Sequence, residues 1–121
     1  MNLQFRQIRV LHNEQLDAAG RHEAWVRGYR PEDSMVEILA FPIAGAADMP
    51  EAHLVEQLYD ALNYQPAEHL LWLTDLLTAV KGRSLSVGDA LVVDDTTHVV
   101  ERMGWSKVDL PTNITAAVAT A

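Results

Sequence analysis

The chain has 121 residues, 49% of them hydrophobic and 21% charged, which is enough to bury one ordinary core and far from the composition of disordered chains. It contains no cysteine, which excludes a disulfide framework, a thiolate metal site and a thiol nucleophile, and no apolar run of about 20 residues that could span a bilayer. The formal charge of −8 argues against direct nucleic-acid binding, because Lys and Arg dominate phosphate contacts.

That charge is unevenly placed. Residues 1–30 hold five Arg against three acids, whereas residues 31–80 hold nine acids and no Lys or Arg. The net negative charge therefore comes from the middle of the chain. With no composition break or linker, residues 1–121 are expected to form a single domain, with 112–121 as a frayed tail. The Met1–Gln7 stretch lacks the apolar core of a signal peptide, so the expected location is the cytoplasm, the host's if the chain is phage-encoded.

Leu3 to Leu11 alternates apolar and polar residues with a one-residue slip after Phe5, the pattern of a bulged strand. Asn13 to Gly20 suits a short helical turn or an acidic loop. Arg21–Tyr29 and Met35–Ile43 read as two paired strands joined by the turn Arg30-Pro31-Glu32-Asp33-Ser34. Pro42 to Ala47 is expected to break the second strand.

Asp48-Met49-Pro50-Glu51 carries the marks of a helix start, with an acidic cap and Pro in the first turn. Leu54, Val55, Leu58 and Leu62 then recur at helical spacing, with Glu51, Glu56 and Asp60 off that stripe. A second helix is expected from Pro66 to about Val80. Its apolar residues, Leu70 to Leu73, Leu76, Leu77 and Val80, cover more than one narrow face, so it should be largely buried or present a surface to a partner.

Beyond Gly82, the segment Arg83-Ser84-Leu85-Ser86-Val87-Gly88-Asp89 leads into β structure, with Val87-Gly88-Asp89 as a tight turn. Ala90–Val93 and His98–Met103 pair as a hairpin through Asp94-Asp95-Thr96-Thr97. Gly104 breaks the strand and Trp105–Leu110 forms a further extended segment. The resulting fold class is α+β: a small antiparallel sheet, from N-terminal strands and a C-terminal hairpin or meander, packed against two central helices.

The string R-S-L-S-V-G-D-A-L-V-V-D from Arg83, followed by G-W-S-K-V from Gly104 and Trp105, resembles a family of small proteins of actinobacteria and their phages and plasmids. More distantly it is similar to the YodL-like domains of mobile elements. The resemblance spans roughly residues 35–110. It departs from the family pattern at Asp94-Asp95, where Asp-Gly is common, and at Met103, where an aromatic is common. It implies a small accessory protein of a phage or mobile element and brings no catalytic residues.

Candidate chemistry is sparse. Ser84 or Ser86 with His98 and Asp89 or Asp94 supplies the residue types of a hydrolase triad, but no G-x-S-x-G elbow is present and the same residues serve a turn. The histidines His12, His22, His53, His69 and His98 show no metal-ligand spacing, and no glycine pattern marks a nucleotide loop. No cofactor, metal or catalytic residue is assigned. The leading expectation is a non-enzymatic protein that binds a partner protein through Glu51, Glu56, Asp60, Trp72 and Leu73 on the helical pair, with self-association through the second helix as a further expectation. The alternatives are an acidic nucleic-acid mimic that blocks a DNA-binding or defence protein, and a small ligand-binding or hydrolytic domain built around Ser86, Asp89 and His98.

Overall fold

The computed structural model describes residues 3–46 and 49–117. In chain order they form β1 (Leu3–Asn13), α1 (Ala24–Arg27), β2 (Met35–Ala46), α2 (Glu51–Ala61), a 3-10 turn (Glu68–Leu70), α3 (Leu71–Ala79), β3 (Ala90–Val93), β4 (Thr96–Val100), β5 (Trp105–Val108) and β6 (Ile114–Ala116). The strands make one six-stranded sheet in the order β5-β4-β3-β1-β2-β6, so the fold is α+β. The chain condenses into two compact units, one of Met1–Arg6 with Pro42–Leu85 and the other of Gln7–Phe41 with Ser86–Ala121.

In the second unit β1, β3, β4 and β5 pair antiparallel, with Leu11 opposite Ala90, Ala90 opposite Val99 and Val99 opposite Ser106. This register puts Arg9, Leu11, Ala90, Val92 and Val99 on one face and Ile8, Val10, Leu91, Val93 and His98 on the other. Because β3 and β4 are covered on both faces, their buried residues run continuously rather than alternating, and in β4 they include Thr97 and His98. Leu11, Met35, Ala90, Val92 and Val99 form a core cluster on which Tyr29, Val108 and Ile114 pack.

The slip in the β1 pattern falls where β1 outruns β3. Ile8 is the last residue opposite β3, and Gln7 instead exchanges bonds with Asp94 in the hairpin turn: its N–H donates to the Asp94 carboxylate at 2.8 Å and its carbonyl accepts from the Asp94 N–H at 2.8 Å. The pairing with β3 runs without interruption from Ile8 to Leu11, so that ladder shows no bulge. Asp94 has φ 52°, a left-handed conformation that Asp tolerates better than most residues, which is how this chain closes the hairpin without glycine.

Three expectations need correction. Arg21–Tyr29 is not a strand: Ala24–Arg27 makes one turn of helix, closed by Gly28 at φ 87°. Only Ala24 of that turn is buried, while Trp25 and Val26 face solvent, so the alternation marked no buried sheet face. Pro42 does not end β2, which continues to Ala46. Beyond Met35–Glu37, where β6 pairs with it in parallel, β2 has only β1 beside it among the described residues, and an edge tolerates a residue without an N–H. The segment 112–117 is tied down, because the Met35 N–H donates to the Asn113 carbonyl at 2.9 Å and the Ala117 N–H to the Glu37 carbonyl at 2.9 Å. Residues 118–121 lie outside the described residues.

In the first unit α2 begins directly after Pro50, as the proline position requires; Asp48, expected as its cap, lies outside the described residues. Leu54, Val55, Leu58, Ala61 and Leu62 form its buried stripe. Leu70, Leu73, Thr74 and Leu77 form that of the 3-10 turn and α3. The two helices are pinned side by side by Thr74, whose hydroxyl donates to the Ala61 carbonyl at 2.8 Å. The Tyr64 hydroxyl donates to the Gly82 carbonyl, joining the loop after α2 to the end of α3.

Candidate interaction surfaces

The Arg83–Asp89 segment is an architectural joint. The first compact unit ends at Leu85 and the second resumes at Ser86. Asp89 is fully buried and its carboxylate is spent on backbone donors: one oxygen accepts from the Asn13 N–H at 2.7 Å, the other from the Ser86 N–H at 2.7 Å. Gly88 has φ 93°, and a Cβ there would lie 2.7 Å from the Ala24 Cβ. Glycine is needed at that position for its conformation and for its closeness to α1. Gly104, at φ 77°, closes the β4–β5 turn by accepting from the Glu101 N–H at 3.0 Å and hands over to Trp105.

Behind this turn lies a buried polar chain. Asn13 donates its side-chain amide to the Gly88 carbonyl at 3.3 Å and to Asp33 at 2.9 Å, and Asp33 receives a two-pronged contact from the Arg27 guanidinium at 2.7 and 3.1 Å. The Arg30 N–H adds a further bond to Asp33 at 2.9 Å. Burial by itself would raise the Asp33 carboxyl, but the bonds from Arg27, Asn13 and Arg30 outweigh it and hold the group below the usual carboxylate range. Asp33 in turn raises the Arg27 guanidinium, so both partners stay charged. Tyr29 beside them is pushed up, first by burial and then by the negative charges of Asp33, Glu32 and Asp109. This chain ties α1 and the 28–34 turn to the hairpin, and it was not legible as a site because its members are far apart in sequence.

Ser86 meets Asp89 through its backbone N–H, and Asp89 and His98 are both buried. Asp89 is 0% exposed and His98 5%, and the Asp89 carboxylate already serves two amides, so neither side chain is presented to a substrate in this conformation. Among the described residues no group of three or more His, Asp or Glu side chains could hold a metal ion. No helix among them is long and apolar enough to cross a membrane.

Besides a smaller hollow of about 80 Å³ in the first unit, near Leu54, Gln57 and His69, two open surfaces remain. In the second unit an open cleft of about 350 Å³ is lined by Arg27, Gly28, Val87, Glu101, Arg102 and Met103. Its rim is held by Arg102, which donates to the Val26 carbonyl at 2.7 Å, and it is bordered by two of the most exposed apolar side chains, Val26 and Met103. Its guanidinium groups are offset by Glu101, Asp33 and Glu23, so the cleft offers no concentrated charge.

In the first unit the helical pair leaves apolar area in solvent. Leu71 is 52% exposed, Trp72 42%, Leu76 37% and Val80 46%, while their neighbours Leu73 and Leu77 are at 0%. Trp72, Leu76 and Val80 are one turn apart, so they form a ridge along α3. Of the residues singled out from the sequence, Glu56, Asp60 and Trp72 are exposed. Glu51 is not, being about 140° round the helix from Glu56 and paired with Arg6. Leu73 belongs to the core, because the 100° step between adjacent helical residues puts it inside when Trp72 is outside. Leu71, Leu76 and Val80 complete the surface and were visible in the sequence only as apolar residues of undecided side.

No known protein family, curated protein or solved structure matches the chain. The surfaces therefore have to be read from their own chemistry.

Proposed function

We propose that the protein is a non-enzymatic interaction module that docks a protein partner on the exposed side of α2 and α3. The observation that carries this reading is the ridge of Trp72, Leu76 and Val80 with Leu71 beside it, four large apolar side chains left 37–52% exposed on α3 and its C-terminal cap. Scattered surface apolar residues are ordinary, but a contiguous set containing Trp is the composition that the buried centres of interfaces favour. The resemblance of the Arg83–Asp89 segment to small accessory proteins of phages and mobile elements supports a binding role, with a host or element protein as the proposed partner.

The test compares affinity capture by the wild-type chain with capture by Trp72→Ala and Leu76→Ala, each checked for unchanged thermal stability. Partners retained by the wild type and lost by both variants support the reading. Partners captured equally by all three chains would overturn it.

A further inference from the structure

We propose that the partner element received by α2 and α3 is a basic amphipathic helix, an inference that rests on the docking reading above. The charge of the layer is one-sided. Residues 51–80, which make up both helices and their connection, hold five acids, Glu51, Glu56, Asp60, Glu68 and Asp75, and no Lys or Arg. On the solvent side of α2, Glu56 and Asp60 stand one turn apart, and on α3 Asp75 stands beside the apolar ridge. Charged groups of a partner that meet this surface gain by being basic.

The same charge disfavours a second copy as occupant. Two such faces would bring acids against acids in a chain whose net charge is already −8. A helix, rather than a strand, follows from what the layer offers. The backbone groups of α2 and α3 are engaged within the helices, so no open ladder is available for strand addition, whereas an exposed apolar ridge on a helix accepts the apolar face of another helix. Leu71 to Val80 spans nine residue steps, about 14 Å along the axis, long enough to take the roughly 11 Å between anchors at i, i+4 and i+7 of a facing helix. Basic residues flanking those anchors would meet the acids of the layer, Asp75 beside the ridge and Glu56 and Asp60 on α2.

The test uses the full chain and two labelled model peptides of about four helical turns, one of Leu and Lys and one of Leu and Glu in the same pattern, followed by fluorescence anisotropy over a salt series. The expected result is that the Lys peptide binds, weakens with salt, and exceeds the Glu peptide by at least about 10-fold. Trp72→Ala should cost about 30-fold, the size of an interface hot spot. Glu56→Lys with Asp60→Lys should lower affinity and flatten the salt dependence, whereas Asp95→Lys, an exposed acid of the β3–β4 turn, should leave both unchanged. If Asp95→Lys weakens binding as much as the α2 pair does, attraction is unspecific and the proposal falls. If both peptides bind equally and both are lost on Trp72→Ala, the docking face stands and the basic class falls. If Trp72→Ala changes neither, the docking reading itself falls. A concentration-dependent dimer in sedimentation that Trp72→Ala abolishes would assign the face to a second copy and overturn the proposal.

Discussion

Replacing Gly88 by Ala should unsettle the whole second unit, and the structure separates the reasons. The positive φ of 93° costs an L-residue about 1–2 kcal/mol. The new Cβ would also stand 2.7 Å from the Ala24 Cβ, a contact that has to be relieved by moving α1 at about 1–3 kcal/mol. The expected loss is thus about 2–5 kcal/mol, read as a fall in the urea midpoint at unchanged slope. Gly104→Ala isolates the first contribution, since Gly104 has φ 77° with nothing within 4 Å of its Cβ position, and should cost only about 1–2 kcal/mol. Adding Ala24→Gly to Gly88→Ala removes the contact and should recover part of the difference, giving a favourable coupling in the double-mutant cycle. A Gly88→Ala variant within about 0.5 kcal/mol of wild type, or one no worse than Gly104→Ala, would refute the close approach of the turn to α1.

Asp33→Asn takes away the nearer and more buried of the two carboxylates on the Arg27 guanidinium, leaving Glu23 at 3.3 Å, and should cost about 3 kcal/mol near neutral pH by chemical denaturation. Because the folded Asp33 carboxyl lies below its unfolded value, its contribution is complete above the unfolded pKa of about 4 and is lost as pH falls through the folded value. The gap between wild type and Asp33→Asn should therefore narrow below about pH 4, measured as urea midpoints across the acid range. Leu73→Ala should lose about 2–5 kcal/mol as a core truncation, whereas Trp72→Ala, its exposed neighbour, should change thermal stability by less than about 1 kcal/mol. Thr74→Val removes the hydroxyl bond to Ala61 and leaves a buried carbonyl without that donor, an expected cost of about 1–2 kcal/mol by the same assay.

Much of the fold is written in local periodicity. The helical recurrence of Leu54, Val55, Leu58 and Leu62 marks the buried stripe of α2, and the apolar run of 90–93 marks a strand covered on both faces, whereas the equally apolar run of 35–43 buries Met35, Leu39 and Phe41 and leaves Ala40 and Pro42 exposed. What local pattern could not carry was set by distant partners. A single helical turn such as Ala24–Arg27 is too short to show a period, and it forms where Ala24 meets Gly88 and Arg27 meets Asp33. Pro42 reads as a breaker until the strand order leaves β2 beside an edge at that point. At the candidate surface the acids and the apolar helix were legible, but the side each residue takes was not. Glu51 turns toward Arg6, and Leu73 and Trp72, adjacent in sequence, part to core and solvent.

The three tryptophans lie on separate elements, Trp25 in α1, Trp72 in α3 and Trp105 in β5, so their indole N–H resonances report docking at three places in one spectrum. In a titration of the ¹⁵N-labelled chain with the Leu/Lys peptide, the Trp72 indole and the backbone amides of 71–80 should shift most, with Trp25 and Trp105 unmoved. Shifts confined to Trp25 and the Arg102–Met103 turn, with Trp72 unchanged, would place docking at the other cleft and contradict the account.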